Sequence, residues 1–359
     1  MSLVDFDDLL KIRKGDERLT TGMTVSTIGE ITTAEEWLTK ADALREIFLS
    51  TLGRRPEVSC DLDCETVSEE DCGDHVRRTV QYSLEPDERI SAYVLIPKGL
   101  KDRAPGVLCI HPTTPLGKEQ TIGNDNTATG RDRAYALHLV RRGYVTVAYD
   151  LMSAGTRCYP GCKHFDTGPF YEKYPEWSAR GKDLWDAARA VDLLRTMDEV
   201  APEKIGSIGH SQGGGITIHA MAVDERIKAG VSSCGHWPHR LSKNPFNNCR
   251  TEWWVGRPLL RPYCRAGKPL PIDMHELLGL AAPRAVMNIT ALNDCKYGPE
   301  EESFTRPAFE NLDRNVEKVF ALLGSAASFR NIIHMKGHGF GKSEREAAYM
   351  FLDEQLKTN

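Results

Sequence analysis

The chain has 359 residues, with 46 basic and 51 acidic side chains for a net charge of −5. These charges are interspersed, which leaves no basic face for nucleic acid and no acidic tail, and a small neutral or mildly polar substrate is expected. Hydrophobic residues make up 40% with no apolar run long enough to cross a bilayer, so no membrane partner is expected. The length fits two domains or one α/β domain with insertions. Met1 to Asp8 carries neither a basic n-region nor an apolar h-region, which places the protein in the cytoplasm, or in the periplasm or outside if a leader has been removed.

In chain order, Thr33-Ala-Glu-Glu36 is a capping box for a helix through Leu52, with Trp37, Ala41, Leu44 and Phe48 on one face. Two alternating segments, 75–84 and 89–97, read as an antiparallel hairpin. A βα rhythm follows: strand 106–110 and helix 131–142, then strand 144–149 and helix 178–197. The run 205–210 is a strand that passes into a helix through 216–222, followed by strands 227–234 and 284–290, helix 306–323 and strand 329–335. A final helix from Ser343, capped by Ser343-Glu-Arg-Glu346, closes the chain. Such alternation builds a mostly parallel sheet with helices on both faces, an α/β class. Residues 1–74 are expected as an N-terminal helical extension packed on a body at 75–359. Two aromatic segments, 151–177 and 235–273, interrupt the rhythm as insertions, and long loops of this kind are usually lids or binding loops.

The strand-to-helix junction at 205–222 reads Gly209-His210-Ser211-Gln212-Gly213. A Gly-x-Ser-x-Gly string between strand and helix forms a sharp elbow that lifts a serine hydroxyl clear of the sheet beside a helix N-terminus. Cys109 and Cys234 read as core residues, while Cys60, Cys64, Cys72, Cys158 and Cys162 fall in loops. Cys158, Cys162 and His164 suggest zinc, but a second ligand pair at suitable spacing is missing, so neither a metal nor another cofactor is expected.

The order of parts resembles the α/β-hydrolase fold, and within it dienelactone-hydrolase-like and acetyl xylan esterase or cephalosporin C deacetylase-like members. The likeness spans about His75 to Leu356. It rests on Cys109-Ile-His-Pro-Thr-Thr114, Tyr149-Asp150 with Gly155, Gly-His-Ser-Gln-Gly-Gly214, Leu292-Asn-Asp294 and Gly337-His-Gly-Phe340.

A serine nucleophile needs a base in hydrogen-bond reach and an acid to orient that base, in the chain order Ser, acid, His for this fold. Ser211 is the nucleophile. The strand ending near Thr290 leads into Asp294, the acid. His338, between two glycines just past the last strand, is favoured as base over His334, which falls within the strand. His111, His210, His219 and His236 are expected to be structural. Oxyanion donors are the N–H of Gln212 and, by the resemblance to deacetylases, that of Thr113. Pro112 and Thr113 replace the Gly-aromatic pair of those enzymes, and a serine replaces the cysteine of true dienelactone hydrolases. Trp237, Trp253 and Trp254 are candidates for stacking on sugar rings, with Arg250 and Arg257 as donors.

The expected function is a serine esterase working through an acyl-enzyme on a small or oligosaccharide ester, acetylated xylan-like by resemblance, with homo-oligomerisation left open. Two alternatives stand beside it. One is a serine peptidase of the prolyl-oligopeptidase type, for which about 74 preceding residues are too few to form the usual propeller. The other is a catalytically silent hydrolase-fold binding protein.

Overall fold

A computed structural model describes residues 30–236, 238–239, 249–250, 252–294 and 306–358. The Thr33 hydroxyl accepts from the Glu36 N–H at 3.2 Å and the Glu36 carboxylate accepts from the Thr33 N–H at 3.0 Å, so the expected capping box starts helix α1, Ala34–Thr51. Its apolar stripe, Trp37, Ala41, Leu44 and Phe48, is buried.

Among the described residues nine strands form one sheet. They are β1 (Glu65–Asp71), β2 (His75–Glu85), β3 (Glu88–Pro97), β4 (Ala104–Ile110), β5 (Val145–Tyr149), β6 (Val200–His210), β7 (Ile227–Ser233), β8 (Ala285–Ala291) and β9 (Phe329–His334), in the spatial order β1-β2-β3-β5-β4-β6-β7-β8-β9. The first three strands and the β3–β5 pair run antiparallel; every pairing from β5 onward through β4 to β9 is parallel. Strand β1 was not legible in the sequence. Its residues, Glu-Thr-Val-Ser-Glu-Glu-Asp, are all exposed on an edge, so they lack the apolar alternation that marks a strand.

Alternate residues of the central strands feed two separate cores. Leu108 and Ile110 of β4 join the core beneath α1, α3 (Ala179–Thr196), α4 (Gln212–Val223), α5 (Met274–Gly279) and α6 (Arg306–Leu322). Val107 and Cys109 join the core beneath α2 (Tyr135–Val140) and α7 (Lys342–Leu356). Helices therefore cover both faces, and strands β4, β5 and β8 are buried throughout.

Two expectations need correction. The helix expected over 131–142 is broken at Ala134 (φ −79°, ψ 42°) into a short turn, Ala128–Arg133, and α2. The C-terminal helix is not capped by Ser343. It starts at Lys342 behind Gly341, because the Ser343 hydroxyl is engaged by Lys336 Nζ at 2.7 Å and by the Glu344 carboxylate.

Both insertions are anchored by buried side chains. Phe170, Tyr171, Tyr174 and Trp177 pack ring on ring at 5.0–5.9 Å, and the Tyr171 hydroxyl donates to the Val255 carbonyl at 2.7 Å, tying the first insertion to the second. Below them Arg157 bridges Asp186 (2.7 Å) and Glu88 (2.6 Å), and Lys182 bridges the same two residues at 2.6 Å each. No helix among the described residues is long and apolar enough to cross a membrane.

Candidate active site

β6 ends at His210 and α4 begins at Gln212, so Ser211 alone turns the chain. Its backbone sits at φ 56°, ψ −118°, a left-handed conformation that costs a non-glycine residue about 1–3 kcal/mol and is retained where surrounding contacts enforce it. The Ser211 N–H donates to the Ser233 carbonyl at 2.7 Å and its carbonyl accepts from the Gly215 N–H at 3.0 Å. The two flanking glycines are required sterically. A Cβ on Gly209 would lie 2.2 Å from the carbonyl carbon of Gly213, and one on Gly213 would lie 2.1 Å from the Ile110 oxygen.

The loops after β8 and β9 bring the other two residues to this hydroxyl. His338 Nε2 lies 2.8 Å from Ser211 Oγ, and His338 Nδ1 lies 2.6 Å from Asp294 Oδ2. A neutral imidazole protonated on Nδ1 satisfies both contacts: it donates to the carboxylate and accepts from the serine. Asp294 is buried, which protects this bond from competition by water. Asn293 locks the two loops together, its Oδ1 accepting from the Gly337 N–H at 2.9 Å and its Nδ2 donating to the Met335 carbonyl at 3.2 Å. His334 points elsewhere; its Nδ1 accepts from the Lys336 N–H, and burial holds its pKa below the ordinary range.

Gln212 is the first residue of α4, where backbone N–H groups have no acceptor four residues back. Thr113 stands across from it, its hydroxyl donating to Gln212 Oε1 at 2.9 Å. The loop carrying Thr113 is fixed from below. His111 Nδ1 lies 2.6 Å from the Pro112 carbonyl oxygen and His111 Nε2 accepts from the Leu151 N–H at 2.9 Å, so this histidine is structural as expected. Buried Asp150 accepts from the Lys118 N–H (2.8 Å) and ammonium (2.6 Å) and from the Thr156 N–H (2.9 Å), which joins the loops after β4 and β5.

Ser211 opens into a cavity of about 510 Å³. Trp253, Trp254, Arg250 and Arg257 line it, as the sequence suggested. Trp253 is 46% exposed, with its Nε1–H donating to the His164 carbonyl at 3.1 Å; Trp254 lies with its ring 4.8 Å from the Arg180 guanidinium. Trp237 lies outside the described residues. Sequence reasoning missed Arg180, His219 and His239 in this wall. His219 had been taken as structural; it lines the cavity, and neither ring nitrogen has a hydrogen-bond partner among the described residues. These residues come from distant parts of the chain, and no spacing announces them. Burial keeps His239 neutral, its pKa lowered to about 3, and His219 likewise sits well below the ordinary value.

Histidines 210 and 236 are structural. His210 Nδ1 pairs with Ser233 Oγ at 3.0 Å, and His236 Nδ1 with Asn288 Nδ2 at 3.0 Å. Cys234 is buried as expected, but it is also a neighbour of the site: its sulfur, a ring nitrogen of His338 and a carboxylate oxygen of Asp294 all lie within 4.8 Å of one another. Burial pushes its thiol pKa up to about 12. Cys158 and Cys162 are free thiols, and they do not converge with His164 on a common point.

A nine-stranded, mostly parallel sheet with a serine elbow and an acid and histidine on later strand ends defines an α/β-hydrolase-fold protein. Two family models match: one described as fungal glucuronyl esterase over residues 134–311, and one described as the Abhydrolase family over residues 63–167. The chain is 25% identical over 312 residues to YtaP of Bacillus subtilis (strain 168), a hydrolase by name, covering 84% of this chain and 94% of that protein. Among solved structures, a glucuronoyl esterase from Solibacter usitatus superposes with a TM-score of 0.69 at 20% identity, over 93% of this chain and 97% of that one. A Bacteroides fragilis protein named for acetyl xylan esterase gives 0.63 at 17% identity, over 85% and 77%. The fold is that of the α/β hydrolases, and over the matched segments the chain is similar to proteins named as esterases of that fold.

Proposed function

We propose that the protein is a serine hydrolase of carbohydrate esters that works through an acyl-enzyme. The observation that carries this reading is the continuous relay from Asp294 through His338 to Ser211, with contacts of 2.6 and 2.8 Å. Ser211 Oγ attacks the ester carbonyl while His338 Nε2 takes its proton; Asp294 holds the ring and stabilises the imidazolium. His338 then protonates the departing alcohol. Water, deprotonated by the same nitrogen, releases the acid. The N–H groups of Gln212 and Thr113 receive the oxyanion, and no cofactor enters any step.

The substrate class follows from likeness to the glucuronyl esterase family and to sugar esterase structures. Esters of hexuronic acids are the first to assay and acetylated xylo-oligosaccharides the second. Wild-type protein should label with a fluorophosphonate probe and hydrolyse at least one of these esters. Ser211→Ala and His338→Ala should each lower kcat by about 10³-fold or more, with no further loss in the double variant. Near wild-type turnover by Ser211→Ala would sink the mechanism.

A further inference from the structure

The cavity beside Ser211 has too many hydrogen-bond donors and too few acceptors. Among the described residues its wall contains Arg133, Arg180, Arg250 and Arg257, and no aspartate or glutamate. Arg257 is buried; one end of its guanidinium donates to His239 Nε2 at 2.7 Å and the other, Nη1, has no hydrogen-bond partner among the described residues. That contact leaves the His239 proton on Nδ1, also buried and without an acceptor among the described residues. Arg180 is buried, and among the described residues its Nε and the indole N–H of Trp254 have no hydrogen-bond acceptor. Asp183 Oδ2, outside the cavity lining, lies 3.4 Å from Arg180 Nη1, but burial raises its pKa to about 7, so near neutral pH it answers that charge only in part. Arg257 has no carboxylate within ion-pair distance among the described residues, and burial lowers its pKa to about 10.

Buried donors left without acceptors are costly, so a cavity built this way is complete only with an acceptor-rich, negatively charged group inside it. We propose that the natural substrate is an anionic ester: a carbohydrate ester that carries a free carboxylate in addition to the ester that is cleaved, with that carboxylate held by Arg257 and Arg180. A carboxylate suits the site better than a phosphate, because it is a planar, singly charged partner for a guanidinium fork and gives up less hydration on entering a largely buried pocket. This proposal departs from the neutral substrate expected from net charge, since the charge that matters is local. This inference rests on the hydrolase reading for its catalytic consequence, while anion binding itself does not.

Two ester pairs of matched shape test it: 4-nitrophenyl hemisuccinate against 4-nitrophenyl butanoate for a carboxylate on the acyl side, and 4-acetoxybenzoate against 4-acetoxybenzamide for one on the alcohol side. In at least one pair the charged ester should have the higher kcat/KM by about 10-fold or more, and Arg257→Gln should lower that ratio by about 10-fold. Arg257→Lys should restore part of it. If Arg257→Gln does not fold, Arg250→Gln at the exposed rim should still lower the ratio. Calorimetry on Ser211→Ala separates the two readings, because it needs no turnover; D-glucuronate or succinate should bind, and more weakly to Ser211→Ala/Arg257→Gln. Ratios at or below one in both pairs, with no binding of either acid, overturn the anionic subsite. Binding of inorganic phosphate in preference to both acids overturns the choice of carboxylate. Absence of fluorophosphonate labelling and of all ester turnover, with the acids still bound, overturns the hydrolase reading and leaves the subsite standing.

Discussion

Single atoms decide whether the elbow can form. At Gly213 the missing Cβ is the space into which the Ile110 carbonyl fits, whereas at Gly215, two residues on, an added Cβ would meet only the Gly235 oxygen at 3.4 Å. Both lie in the first turn of α4. Gly213→Ala should therefore cost about 3 kcal/mol or more through forced backbone displacement. Gly215→Ala should lie within about 1 kcal/mol of wild type, since alanine's helix preference offsets a mild contact. Urea denaturation of the two variants checks this, and equal effects would mean that the close approach at Gly213 is not what the turn depends on. Ser211 and Gly213 were legible in the sequence because the motif encodes a steric requirement within five residues. His338 and Asp294 were legible because strand ends are the only places from which side chains can reach the elbow.

At the scale of elements, the insertions are held by charges that no local pattern advertises. Arg157, Lys182, Asp186 and Glu88 come from the first insertion, α3 and the start of β3, and Asp186 is fully buried between two cations. Asp186→Ala would leave Arg157 and Lys182 facing each other with reduced compensation, and should cost about 3–5 kcal/mol in thermal or urea unfolding. Asp87→Ala breaks an exposed pair with Lys173 and should stay within about 1 kcal/mol. Comparable losses for both variants would rule out a special role for the buried network. The aromatics of the first insertion turned out to be its packing; only the second insertion contributes tryptophans to the cavity. Hydrophobic content alone could not separate these roles, since a ring that anchors a loop and a ring that stacks on a ligand have the same composition.

For the whole molecule, buried neutral histidines weaken the folded state as pH falls. Burial lowers the pKa of His236 to about 4 and of His239 to about 3, against an unfolded value of about 6.5. Below pH 6.5 the unfolded chain takes up protons that these rings refuse, so the stability they contribute is complete above that pH and is lost as pH falls toward 4. Buried Asp183 and Asp313, raised to about 7, act in the opposite sense: their folded forms hold protons that the unfolded chain releases, so they favour the folded state as pH falls from 7 toward 4. A single-site comparison isolates the histidine effect. His236→Gln should reduce the stability lost between pH 7 and pH 5 by about 2 kcal/mol, the free energy of 1.5 pKa units. An unchanged loss, measured by urea unfolding at the two pH values, would show that His236 does not carry it.

The sequence by itself determined the alternation of strands and helices, the elbow at Ser211 and the order Ser211, Asp294, His338, because each follows from local geometry repeated along one chain. The polar edge strand β1 escaped it, since a strand that buries nothing has no hydrophobic period. Tertiary structure alone decided the rest of the cavity wall. Arg180 sits near the start of α3, His219 in the middle of α4, and His239 in an insertion with no regular pattern. Their convergence depends on how helices and loops pack over the sheet, and it is this packing, which strips water from the guanidinium groups, that turns ordinary surface residue types into a site for a negative charge.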